Sequence, residues 1–151
     1  MISHAKLAIT LQYASKQADL PRRADFRHWA KSALIYDVEA TLRLVDEAEG
    51  KQLNQAYRGM PKATNVLTFA YGAEREDGPL SGDIILCVPV VEREAVGHGN
   101  TLEAHYAHLT VHGMLHLQGY DHEVEAEAIA MEAVESFIMR RLGYPDPYQD
   151  G

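Results

Sequence analysis

The sequence predicts one α+β domain over residues 1–151: a mixed sheet of about four strands, with helices packed on it and one helix buried centrally. Three observations support this. A length of 151 residues suits a single hydrophobic core. Four short segments carry strand patterns, three alternating apolar and polar residues and one continuously apolar. Between and after them run stretches with apolar residues at helical spacing.

The elements follow in order. Residues 6–13 read as a half-buried strand with Leu7, Ile9, Leu11 and Tyr13 on one face. Pro21 opens a helical stretch in which Phe26, Trp29, Ala30, Ala33 and Leu34 share a face. Residues 40–45 alternate as a second strand, and residues 52–57 form a short helix ended by Gly59 and Pro61. Residues 64–71 make a third strand, with Leu67, Phe69 and Tyr71 on one side. The turn-rich DGPLSG, residues 77–82, leads into a continuous apolar strand at 83–90, covered on both faces and ended by Pro89. Residues 92–97 carry no clear pattern. Asn100 and Glu103 resemble a capping box that opens a helix to about Leu117. Residues 124–142 are the last helix, acidic at its start, basic at its end, and stopped by Gly143 and Pro145. The tail PDPYQDG is expected to fray.

Composition removes several classes. No run approaches the 18 apolar residues of a membrane span. The N-terminal segment lacks a signal-peptide core. One cysteine, Cys87, excludes a disulfide framework, reads as a buried small hydrophobe, and fits a reducing cytoplasm. A net charge of −8 argues against binding nucleic acid by bulk charge, although not against gripping a few phosphates locally. Basic residues do cluster, at Arg22, Arg23, Arg27 and Lys31, and again at Lys51, Arg58 and Lys62.

The chemistry concentrates in HGMLHLQGYDH, residues 112–122. His112 and His116 are four apart, one turn above the other on one helix face. Gly119 can end that helix with a positive φ, and the chain can return His122 to the same ion. Three imidazoles with an open fourth position suit a catalytic zinc, one ion per chain. The spacing also matches the zinc-protease motif H-E-x-x-H-x-x-G-x-x-H, but Gly113 stands where the protease keeps its general-base glutamate. A small residue there makes room beside the first ligand, or lets the helix pack closely on a strand. A glutamate at that position is expected to crowd the substrate.

His105 and His108 share the stripe, all four histidines falling within about 80° at 100° per residue. His108 suits the substrate channel, support of a ligand, or plain exposure; for His105, about 10 Å from His112 along the axis, a surface position is expected. Asp121 either orients a ligand imidazole or caps the last helix, and Tyr120 reads as packing. A three-histidine zinc lowers the pKa of bound water toward ~7, which leaves peptide, phosphodiester and amide substrates open.

HGMLHLQGYDH resembles the signature H-G-x-L-H-L-x-G-Y-D-H of the YbeY family, metal-dependent endoribonucleases that mature ribosomal RNA, at every fixed position. LNQAYRG with ATNVLTFAY, and SGDIILCVPV, are similar to that family's further blocks in the same order. The resemblance covers about residues 46–143. It implies zinc ligation by His112, His116 and His122, and catalytic roles for these three and for Arg58, whose guanidinium fork suits a phosphate in the cleft. The family usually has an acidic residue shortly after the YR pair; here the segment reads GMPKATN, with Lys62, which favours an anionic substrate.

The resemblance implies a cytoplasmic, single-strand-specific endoribonuclease acting in 16S rRNA 3′-end maturation and ribosome quality control. Its partners would be single-stranded RNA, rRNA, the small subunit and assembly factors, with no membrane. Zinc would polarise a phosphate oxygen or supply hydroxide, Arg58 would neutralise developing charge, and the general base stays unassigned. Two alternatives remain: a zinc peptidase or amidohydrolase, and a non-catalytic ribosome-assembly factor with a structural metal.

Overall fold

The computed structural model describes residues 4–120 and 124–148. Its four strands are β1 (Leu7–Tyr13), β2 (Val38–Val45), β3 (Val66–Ala73) and β4 (Leu80–Cys87). The helices are α1 (Arg23–Ser32), α2 (Glu47–Arg58), α3 (Val88–Gly97), α4 (Leu102–Leu117) and α5 (Glu125–Leu142). The sheet order is β1-β2-β4-β3, with β1, β2 and β4 parallel and β3 antiparallel to β4. This is the mixed four-stranded α+β architecture expected from the sequence.

The sheet separates two apolar clusters. On one side Leu42, Leu44, Ile84 and Leu86 meet Phe26 and Trp29 of α1, Tyr106, Met114 and Leu115 of α4, and Met131 and Met139 of α5. On the other side Val45, Leu67, Ile85 and Cys87 form a smaller cluster with Leu53 of α2 and Val90 of α3. Cys87 is thus a small apolar filler, its thiol pKa pushed up by burial. β4 and β2 are central and strongly buried, which explains the apolar run in β4. β3 lies at an edge.

Several boundaries differ from the sequence expectation, each for a local reason. Pro89 does not end a strand. Val88, Pro89 and Val90 form the first turn of α3, where a missing N–H costs nothing because no partner lies upstream. β4 accordingly begins and ends three residues early, and residues 92–97 complete α3. α2 starts at Glu47 rather than 52, behind Asp46. Gly50 lies inside this helix, and a Cβ there would stand 2.8 Å from Cys87 Sγ, so its absence lets the helix approach the sheet. α1 starts two residues after Pro21.

The tail departs further. Residues 145–148 are tethered: Ser136 Oγ donates to Asp146 Oδ1 at 2.7 Å, the Tyr148 amide donates to the same oxygen at 2.9 Å, and the Tyr148 hydroxyl donates to Glu135. Two side chains carry this fold-back, which composition alone does not reveal.

α4 is buried on almost every side, from Ala104 to Leu117. Such a helix is fixed by packing all round rather than by one apolar stripe. Gln118, just past its end, is buried as well. Its Nε2 donates to the Ala33 and Met114 carbonyls at 2.9 Å, and its Oε1 accepts from the Ile35 and Tyr36 amides at 2.8 and 3.0 Å. One side chain thereby ties the α1–β2 connection to the end of the histidine helix.

Candidate active site

Both ends of α4 are set locally. Thr101, not Asn100, is the N-cap, its hydroxyl accepting from the Ala104 amide at 3.1 Å. Asn100 instead accepts from the Thr101 amide through its own side chain. At the other end Gly119 has φ 112°, with Gly119 N–H bonded to His116 O and Tyr120 N–H to Leu115 O. This pair of bonds is a Schellman closure, and it turns the chain as the sequence predicts. Tyr120 packs against the main core. The expected third ligand, His122, and Asp121 lie outside the described residues.

His112 and His116 line a cleft of about 310 Å³ together with Arg58 and Tyr57 of α2, Thr64 and Asn65, and Val66 to Phe69 of β3. One wall is the edge strand β3 and another is the histidine face of α4. Arg58 ends α2, where Gly59 at φ 70° stops the helix and donates its amide to Gln55 O. A cation at that terminus also complements the helix dipole. The structure therefore brings together three of the four expected site residues from two helices far apart in sequence. Gly113 does not line the cleft. A Cβ there would meet Ile84 Cγ2 at 2.9 Å, so the glycine serves close packing of α4 on β4. The expectation that a glutamate at 113 crowds the substrate is corrected accordingly.

Behind His112 stands a carboxylate that the sequence reading missed. Glu135 of α5 is 0% exposed. Its Oε1 lies 2.5 Å from His112 Nδ1, its Oε2 2.9 Å from His108 Nε2, and Tyr148 donates to it as well. Burial alone would raise its pKa, but the hydrogen bonds from His108, His112 and Tyr148 take it down to about 2. An ionised carboxylate only accepts, so His112 presents a hydrogen to it on Nδ1, and in a neutral ring Nε2 would be the atom able to ligate. A signal for this was present: Glu135 falls on the apolar stripe of Met131, Ile138 and Met139, at i, i+4, i+7 and i+8.

His105 is likewise not a surface histidine. It is 6% exposed, and its Nε2 donates to Glu94 of α3 at 2.9 Å. Burial pushes its pKa down despite the pull of Glu94. Glu94 Oε1 also accepts from Asn65 Nδ2 at 2.9 Å, which fixes a residue of the cleft wall. Two of the four histidines on the stripe thus line the cleft, and the other two meet buried or half-buried carboxylates.

Among the described residues no three His, Cys, Asp or Glu side chains form a metal cage. The donor chemistry that is described nevertheless fits a divalent ion. A histidine whose Nδ1–H is held by a buried carboxylate is the usual form of an oriented imidazole ligand. Replacing Glu135 by glutamine sets an amide N–H against one of the two histidine donors. Glu135→Gln is expected to lower zinc affinity by about 10–100-fold, measured by competition with a chromophoric chelator. The same carboxylate stabilises the metal-free fold. Because its folded pKa lies below the ordinary 4.5, that contribution is complete above this pH and is lost as pH falls toward 2. Glu135→Gln should therefore flatten the acid limb of stability against pH, and unchanged affinity and acid limb would remove Glu135 from the site.

Fold and cleft define a class: an α+β protein with paired histidines, a cation and an open strand edge around one polar groove. Known proteins narrow it. The family model described as Endoribonuclease YbeY matches residues 9–143. An "Endoribonuclease YbeY" of Methylobacillus flagellatus is 59% identical over 143 residues, covering 95% of this chain and 94% of that one. Its namesake in Nitrosomonas europaea is 52% identical, covering 95% and 85%. The solution structure of TM1509 from Thermotoga maritima superposes with a TM-score of 0.55 at 28% identity, covering 94% of this chain and 99% of that one. The chain belongs to the Endoribonuclease YbeY family.

Proposed function

We propose that this chain is a single-strand-specific endoribonuclease that acts in 16S rRNA 3′-end maturation and ribosome quality control, as one domain over residues 1–151 in the cytoplasm. Membership of the family makes it an endoribonuclease, a hydrolase of RNA phosphodiester bonds in rRNA processing. The family is metal-dependent. The observation that carries the reading is the convergence of Arg58, His112 and His116 on one cleft.

His112, His116 and His122 would hold one ion, zinc by ligand type. When bound, it supplies Lewis acidity at the scissile phosphate and activates the attacking water. The chain's own residues do the rest. Glu135 holds the His112 ring through Nδ1, which would orient Nε2 as the ligating atom. Arg58 grips phosphate oxygens and offsets the charge that grows on them during attack. Edge strand β3 and Asn65 wall the groove in which the strand lies. The position beside the first histidine is glycine and faces the sheet, so the glutamate a zinc peptidase uses has no counterpart. Among the described residues no helix is long and apolar enough to cross a membrane.

The test compares metal-loaded and chelated protein on single-stranded RNA, on duplex RNA and on casein. Cleavage of single-stranded RNA by the loaded form alone is expected. Casein cleavage would favour the peptidase alternative. RNA cleavage undiminished after the metal is removed would overturn the metal-dependent mechanism, and no cleavage of either polymer would leave an assembly factor with a structural metal.

A further inference from the structure

At the mouth of the cleft stands an aromatic pair that the mechanism does not use. Tyr57 is 67% exposed, although it sits one position before Arg58 and lines the same groove. Its ring meets Phe69 of β3 edge-on, with centroids 4.9 Å apart and planes at 66°. Phe69 is anchored from below, packed against the smaller core cluster. The platform thus has one side held by the fold and another open to solvent.

Helix packing does not account for this exposure. α2 seats itself on the sheet through Gly50, Leu53 and Asn54, and Asn54 Nδ2 fastens the following loop by donating to Lys62 O at 2.7 Å. Tyr57 adds little buried surface to that contact. Tyr71, the other exposed tyrosine nearby, differs: its hydroxyl is engaged by Asp83 Oδ2 at 2.8 Å, and it does not line the cleft.

We infer that Tyr57, seated on Phe69, is a stacking subsite for one unpaired nucleobase next to the phosphate that Arg58 holds. The inference rests on the endoribonuclease reading and adds the residue that recognises the strand. A base inside a duplex has both faces covered by its neighbours, so a single open aromatic face selects a base that is already unstacked. Every base has such a face, which makes the subsite tolerant of sequence. Asn65, the side-chain amide that lines the cleft, is held in the wall, its Nδ2 donating to Glu94 and its Oδ1 accepting from the Val66 amide. The adjoining guanidinium matches the negative charge of the same nucleotide. Selectivity for single strands would then lie in the aromatic pair, and catalysis in the histidines and Arg58.

The test uses zinc-loaded protein and short single-stranded RNAs in which one nucleotide at a time is made abasic, walking outward from the cleaved bond. One position is expected at which loss of the base raises KM about tenfold for the unmodified protein. Tyr57→Leu keeps an apolar cover on Phe69 but removes the face. It should raise KM about tenfold on intact RNA, with the loss on KM rather than kcat, and should abolish the abasic penalty at that position. Tyr57→Phe should rescue most of the loss. A 2-aminopurine at the same position should be quenched on binding by the unmodified protein and not by Tyr57→Leu, which a merely structural tyrosine would not produce. An abasic penalty that persists unchanged in Tyr57→Leu, or a loss confined to kcat, would overturn the subsite. If the unmodified protein cleaves no single-stranded RNA at all, the endoribonuclease reading itself fails, and the subsite with it.

Discussion

Gly113→Glu is expected to yield no folded protein. The residue sits on the face of α4 that lies on β4, and even a Cβ would stand 2.9 Å from Ile84 Cγ2 and 3.2 Å from its Cγ1 and Cδ1. Ile84 is completely buried, so it has no solvent into which to move. A glutamate adds a carboxylate with no partner in an apolar layer, at a cost of several kcal/mol. Helix displacement adds to that, for a total beyond about 4–5 kcal/mol, which is comparable with the whole stability of a small domain. Gly113→Ala isolates the steric part. Overpacking of about 1–3 kcal/mol is opposed by about 1 kcal/mol of better helix propensity, so this variant should fold with a lowered Tm. Thermal unfolding followed by circular dichroism distinguishes the two. A glutamate variant that melts like the unmodified protein would show that α4 does not rest on Ile84 at this point.

The same residue shows how far the sequence could be read. That position 113 is glycine within a helical pattern was visible, and close packing on a strand was one of two readings open there. Choosing between them needed the register of α4 against β4, which no local pattern contains. The strands were legible because burial patterns them: Leu7, Ile9 and Leu11 alternate, and β4 runs apolar because both its faces are covered. α4, buried on almost every side, was legible from a capping pattern before it and Gly119 after it rather than from periodicity. Pro89 misled because proline ends a strand and opens a helix equally well, and only the path of the chain decides.

The site was legible where chemistry clusters in sequence, at His112 and His116, and Arg58 entered through resemblance. It was illegible where partners are distant. Glu135 reaches His112 across 23 positions, and Glu94 reaches His105 across 11. A buried glutamate in the apolar stripe of α5 was the available sign, since an unpaired charge there would be untenable. His105 was expected at the surface because a polar stripe usually faces water; here carboxylates of α3 and α5 face it instead.

Arg58→Ala is expected to keep the fold and the metal and to lose about 10²-fold or more in RNA cleavage, the scale on which loss of one charge-stabilising donor acts. The structure makes this a clean substitution. Arg58 is exposed at the last position of α2, the capping duty there belongs to the Gly59 backbone, and among the described residues no ion pair forms on the guanidinium. Truncation therefore leaves no buried partner stranded, and Tm should hold within the small range of a surface change. The loss should fall on kcat as well as KM, because the charge on the phosphoryl oxygens grows in the transition state. Arg58→Lys tests the shape of the donor. It keeps the charge but replaces a planar fork with a point, so it should recover part of the rate and no more. Zinc content, melting temperature and single-turnover cleavage of one single-stranded RNA, measured on all three proteins, check the set. If the alanine variant cleaves like the unmodified protein, Arg58 has no part in the mechanism and another cation must hold the phosphate. If lysine restores the full rate, bulk charge rather than the bidentate fork is what the cleft requires.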